Sequence, residues 1–215
     1  MDQITSISFI VLAVALALPL ATRLGTGHPK LLRFLKHVVL AVYLLANLSE
    51  TLLFREVSPQ ASYELDLLWS YKQALALDGG LLGFLRSLCG NGLQALGGAH
   101  ITDRGLLKEI ILNILLYVPM GYLLPFTWPS LARRRKAAAT PESLVKQASL
   151  LGRIPWRVVG LGLCASVATE LTQLIFHLGL FEFDDILNNT FGCLLGVILY
   201  LWVMRNQKSA ERSSY

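Results

Sequence analysis

The sequence predicts an all-α fold, a polytopic integral membrane bundle of about five transmembrane helices with an interfacial or re-entrant segment in its outer loop. Three observations carry that prediction. Hydrophobic residues make up 54% of the 215 and charged ones only 15%, a balance that belongs to membrane proteins rather than soluble domains. The apolar residues are gathered into blocks close to the ~20 residues a helix needs to cross ~30 Å of hydrocarbon. The basic residues fall in alternate links between those blocks, the arrangement that the positive-inside rule produces.

The first block, Ile4 to Thr22, follows "MDQITS", which lacks the positive region and cleavage site of a signal peptide, so it is read as a retained helix. A basic link with Arg23, Lys30, Arg33 and Lys36 leads to the second block, His37 to Phe54. The outer link, residues 55–105, holds "YELDLLWSYKQALAL", whose interleaved leucines, aromatics and charges fit a helix lying in the interface. The Gly-rich piece from Gly79 to Gly98 is its loose return or a re-entrant hairpin. The third block, Leu106 to Phe126, contains Pro119, which is expected to bend it. A cytoplasmic link, residues 133–153, carries "RRRK" and connects to the fourth block, Trp156 to His177. The fifth, Ile186 to Met204, begins after Asp184 and Asp185 and ends in a tail with Arg205, Lys208 and Arg212. Residues 1–215 thus read as one membrane domain, amino terminus outside and carboxyl terminus in the cytoplasm. The net charge of +5 is spent on topology, so no nucleic-acid partner is expected. Cys89, Cys164 and Cys193 form no closed disulfide set.

That topology brings polar residues of three helices to one depth. Residues three and four apart share a helix face, which gives three stripes: Glu109, Asn113 and Tyr117; Glu170, Gln173 and His177; Asp185, Asn189, Gly192 and Gly196. They outline an outward-facing acidic cleft. Gly192 and Gly196 form a G-x-x-x-G pair that lets a neighbouring helix approach closely. Glu182, in the short outer turn between the fourth and fifth blocks, is expected to be reachable from outside. Plainer roles stand beside these. One of Asp184 and Asp185 is expected to cap the fifth helix, with Asp184 the nearer to the cap. Asn113, Gln173 and Asn189 also suit interhelical hydrogen bonds worth about 0.6 kcal/mol each. Glu170 is harder to explain this way, because an acid near mid-membrane costs about 3 kcal/mol unless it pairs or protonates.

The motifs "LKEIILNILLYVPMGYLLP" and "ATELTQLIFHLGLFEFDDILNNTFGCLLG" resemble those of the VanZ-like family of bacterial membrane proteins. The resemblance rests on Glu109, Asn113, Pro119 and Gly121, then on Glu170, Gln173, Asp184, Asp185, Asn189, Gly192 and Gly196, with Arg55 as a matching basic residue; it covers about Thr51 to Tyr200. It departs from the family in lacking an Arg shortly before the acidic pair, where this chain reads "HLGLFEFDD". The resemblance implies a bacterial cytoplasmic-membrane protein associated with lowered sensitivity to lipoglycopeptides such as teicoplanin. The expectation drawn from it is a binding protein. Arg55, Glu109, Asn113, Glu170, Gln173, Asp184, Asp185 and Asn189 would line a site for a lipoglycopeptide or a lipid-linked cell-wall precursor, among membrane lipids and with no cofactor. The alternative is an intramembrane enzyme using the same carboxylates for acid/base or metal chemistry. No nucleophile, metal-binding His pair or phosphate-cradling loop accompanies them, and no catalytic or metal residue is assigned.

Overall fold

The computed structural model describes residues 13, 29–53, 55, 57–75, 104–132 and 154–212. The first apolar block, the Gly-rich return and the link at 133–153 lie outside the described residues. The elements are α1 (Pro29–Leu48), continued by a π-helical turn (Ser49–Leu53), β1 (Ser62–Glu64), α2 (Trp69–Ala74), α3 (Arg104–Thr127), α4 (Pro129–Ala132), α5 (Trp156–Phe176), β2 (Leu180–Glu182) and α6 (Phe183–Arg212). Among the described residues four helices are long and apolar enough to cross a membrane: Lys30–Leu53, Gly105–Thr127, Trp156–Phe176 and Phe183–Asn206. The fold is an all-α polytopic bundle.

The start of the second apolar block needs correction. The basic residues Lys30, Arg33 and Lys36 lie within α1, which opens at Pro29, eight residues before the expected boundary at His37. Proline suits a first helical position because it has no N–H to leave unsatisfied. Long basic side chains can stay in a membrane helix near its end by reaching toward the headgroups. Lys36 places its ammonium over the ring of Phe126, 4.0 Å from its centroid.

Helix α3 is the centre of the bundle and packs most extensively against α6. The contact is made backbone to backbone. A Cβ on Gly121 would stand 1.9 Å from the Cys193 carbonyl oxygen, one on Gly192 2.0 Å from that of Ile114, and one on Gly196 2.0 Å from that of Val118. Without a hydrophobic force between helices in lipid, such close approach is what holds them. Helix α3 continues through both Pro119 and Pro125. Pro119 removes the N–H that would bond the Leu115 carbonyl; on the neighbouring turn the Tyr43 hydroxyl donates to the Leu116 carbonyl at 2.9 Å, tying α1 to α3. Tyr43, Tyr117, Tyr122, Leu123, Val158, Cys193 and Val197 make the buried centre, while Leu171, Ile175, Phe191 and Trp202 face outward, where lipid would lie.

The described part of the outer link is less helical than its composition predicts. It has one short helix, α2, and the strand β1, which pairs in parallel with β2 at Ser62↔Leu180, Tyr63↔Phe181 and Glu64↔Glu182. Helix α2 does not lie alone in the interface: it packs on α3 and buries Ser70 and Ala74. Further ties run from Ser58 N–H to the His177 carbonyl (2.7 Å) and from the Ser62 hydroxyl to the Gly179 carbonyl (3.3 Å). The link is thereby strapped across the end of the bundle where α1 and α5 finish and α3 and α6 begin.

Candidate functional site

Beneath that strap the polar residues of the three stripes converge. Asp184 and Asp185 occupy the first turn of α6. Asp184, fully buried, accepts from Leu68 N–H (2.6 Å), Ser70 N–H (3.0 Å) and the Ser70 hydroxyl (2.5 Å). The expected cap of the fifth helix is therefore a cap of α2, which begins at Trp69. An acid inside the first turn of its own helix points away from the cap position, and the free N–H groups of α2 are brought to it by the fold. The Tyr71 hydroxyl donates to Asn188 Oδ1 on the next turn of α6, and burial beside Asp184 and Asp185 pushes that phenol up to about 12.

Asp185 turns to the other side, where it accepts from Asn113 Nδ2 at 2.5 Å. Glu170, 2% exposed, accepts from the Glu182 N–H at 3.2 Å. Gln173, 1% exposed, donates from Nε2 to the Thr51 carbonyl at 2.8 Å and joins α5 to the π-helical turn. Asn189 Nδ2 donates to the Ser166 hydroxyl at 3.0 Å. Of the eight residues expected at the site, Asp184, Asp185, Glu170, Gln173 and Asn189 are buried, Asn113 and Arg55 are half-buried, and Glu109 is exposed at the rim.

Glu182 was expected to be open to solvent; it is buried, because pairing with β1 turns it inward among the acids. Burial, then the charges of Asp185, Glu109, Glu170 and Asp184 in that order, raise its carboxyl to about 8. A basic residue reaches the "HLGLFEFDD" segment from elsewhere in the chain. Arg55 Nη1 lies 3.0 Å from where a Cβ on Gly179 would be, and its charge acts on Glu170 and Asp185. Gly179 has φ +148°, a conformation open to glycine.

Among the described residues several buried polar atoms here have no protein partner: Gln173 Oε1, Asn188 Nδ2 and Asn189 Oδ1. Buried groups of this kind ordinarily have a partner. Among the described residues no three His, Cys, Asp or Glu side chains are grouped to hold a metal ion.

The family model VanZ/LLP1 matches residues 38–204, most of the chain and every residue of this cluster. The chain belongs to the VanZ/LLP1 family. With four apolar helices among its described residues it is a multi-pass membrane protein. The matched region begins earlier and ends later than the motif-based core of Thr51 to Tyr200, so it takes in the second half of α1. No curated protein and no solved structure matches the chain. The VanZ/LLP1 region also holds participants that the motifs did not single out, namely Ser70, Tyr71, Ser166, Glu182 and Asn188. Asn188 carried a signal in being polar beside Asn189. Ser70 and Tyr71 carried none, because their partners lie 114 and 117 residues away.

Proposed function

We propose that this VanZ/LLP1 protein is a binding protein. Its acidic cluster receives the polar head of an amphiphile from the outer leaflet, either a lipoglycopeptide such as teicoplanin or a lipid-linked envelope component, and thereby lowers antibiotic sensitivity. The observation that supports this reading is the mutual influence of Glu109, Glu170, Glu182, Asp184 and Asp185, with Arg55 acting on Glu170 and Asp185 and Glu109 exposed at the rim. Buried carboxyl groups are costly next to lipid and are retained where a partner or ligand uses them. Exposed Ile111 on α3 and Leu187 on α6 flank the rim and offer apolar surface for a tail.

The test is titration of the full chain in nanodiscs with teicoplanin and, separately, with a lipid-linked cell-wall precursor. Saturable binding of one of them, weakened in Glu170→Gln and Asp185→Asn, is expected; saturable binding of neither overturns the proposal. A second reading, an intramembrane enzyme acting on an envelope lipid, draws on Glu182, whose carboxyl at about 8 would be a proton donor near neutrality. Conversion of the precursor during the same titration, abolished by Glu182→Gln, would favour it.

A further inference from the structure

We infer that the head group this cluster takes is a protonated primary amine carried on an amphiphile, rather than a phosphate. The inference rests on the binding role proposed above and specifies its chemistry. Charge gives the sign, since Asp185 is acted on by the carboxyl groups of Glu109 and Asp184 and itself acts on Glu170 and Glu182, while Arg55 is the cation among the described residues that acts on Glu170 and Asp185.

Hydrogen bonding gives the type. The orientation of the Gln173 amide is fixed, because its Nε2 donates to a backbone carbonyl that can only accept. The other end of that amide is therefore an acceptor, and Oε1 is buried with no donor among the described residues, one turn beyond Glu170 on the same helix face. Among the described residues Asp185 and Glu170 each accept one hydrogen bond, although a carboxylate offers about four lone-pair sites. What these three groups lack in common is a donor. An ammonium has three N–H donors and a positive charge, and it makes the charge-assisted bonds that are about twice as strong as neutral ones. A phosphate would set acceptor against acceptor. A quaternary ammonium would bring charge without donors. A bare metal cation is a poorer fit, as no three potential ligands among the described residues are grouped to hold one.

The experiment compares three probes that share a tail: dodecylamine, dodecyltrimethylammonium and dodecyl phosphate, titrated calorimetrically into the full chain in phosphatidylcholine nanodiscs near neutral pH. Dodecylamine is expected to bind saturably and about tenfold or more tighter than the quaternary amine, the difference one or two charge-assisted hydrogen bonds make. Gln173→Met and Glu170→Gln should each weaken it by about tenfold. Equal binding of the quaternary amine, equal or tighter binding of the phosphate, or unchanged affinity in both variants overturns the inference. Competition separates the sources of the amine: displacement by phosphatidylethanolamine assigns the site to an endogenous aminolipid, and displacement by teicoplanin to the antibiotic. Teicoplanin that still binds after its amines are acetylated defeats the amine inference while leaving the proposed function standing. Failure of both teicoplanin and the precursor to bind defeats the proposed function whatever dodecylamine does.

Discussion

At the scale of single residues, the two neighbouring aspartates do different work, and one isosteric change separates them. Asp184 satisfies two backbone N–H groups and a hydroxyl of the outer link. Asn in its place offers one acceptor and turns an NH2 toward a donor, leaving a buried group unpaired at a cost of about 1–3 kcal/mol. Asp184→Asn is therefore expected to loosen the strap, seen as faster proteolysis in the outer link. Asp185→Asn can still accept from Asn113 Nδ2, so it should leave proteolysis unchanged and weaken ligand binding through lost charge. Loosening by Asp185→Asn alone would reverse these assignments. Glu182 adds a pH dependence. Its carboxyl is raised from 4.5 to about 8, so between those values the folded chain holds a proton that the unfolded chain does not. Its contribution to stability is full below about 4.5 and is lost as pH rises through about 8. Thermal unfolding of the ligand-free chain should shift downward over that window, and Glu182→Gln should reduce the shift. An unaltered shift would remove Glu182 as its source.

At the scale of elements, α3, α5 and α6 were legible in the sequence to within a few residues at most boundaries, because length and continuous hydrophobicity suffice to define a spanning helix. Helix α1 was read short, since a charge every third residue at its start looks like a loop when lipid and snorkelling are left out. The outer link was read as a helix from its alternating leucines and charges, but β1 exists through a partner strand more than a hundred residues away. Local pattern carries no trace of such pairing. The G-x-x-x-G pair, by contrast, marked a close helix approach whose partner the structure shows to be α3, and it gives a paired test. Gly196→Ala places a methyl 2.0 Å from the Val118 carbonyl oxygen, so the helices must separate, a cost of about 1–3 kcal/mol. Gly160→Ala meets nothing within 4 Å and should be neutral or stabilise α5 by up to about 1 kcal/mol through helix propensity. Unfolding in detergent should rank Gly160→Ala at or above the parent chain and Gly196→Ala well below it. Equal stability of the two variants would mean that α3 and α6 are not packed through this seam.

At the scale of the whole molecule, the bundle is polarised along its length. Lys30, Arg33, Lys36, Arg157 and Arg205 lie toward the end where α1 and α5 begin and α3 and α6 finish, and the acidic cluster lies at the other. The convergence of Glu109, Glu170 and Asp185 was readable because an alternating topology fixes the relative depth of every residue along a spanning helix. The closing strap was not, since it depends on tertiary contacts of a link with no strong periodicity. Positive residues are retained on the cytoplasmic side during insertion, so the basic end is expected inside and the acids under the outer leaflet. Position 182, which the sequence offered as an outside marker, is buried and would report burial rather than sidedness. Gln60, on the strap, and Ser130, in α4 at the basic end, are both exposed and lie at opposite ends of the bundle. With Cys89 and Cys164 replaced by alanine and buried Cys193 retained, an impermeant thiol reagent added to intact cells should label Gln60→Cys and reach Ser130→Cys only after permeabilisation. The opposite pattern would put the acidic cluster on the cytoplasmic side. An extracellular lipoglycopeptide could then not be the ligand, whereas an amine-bearing lipid of the inner leaflet still could.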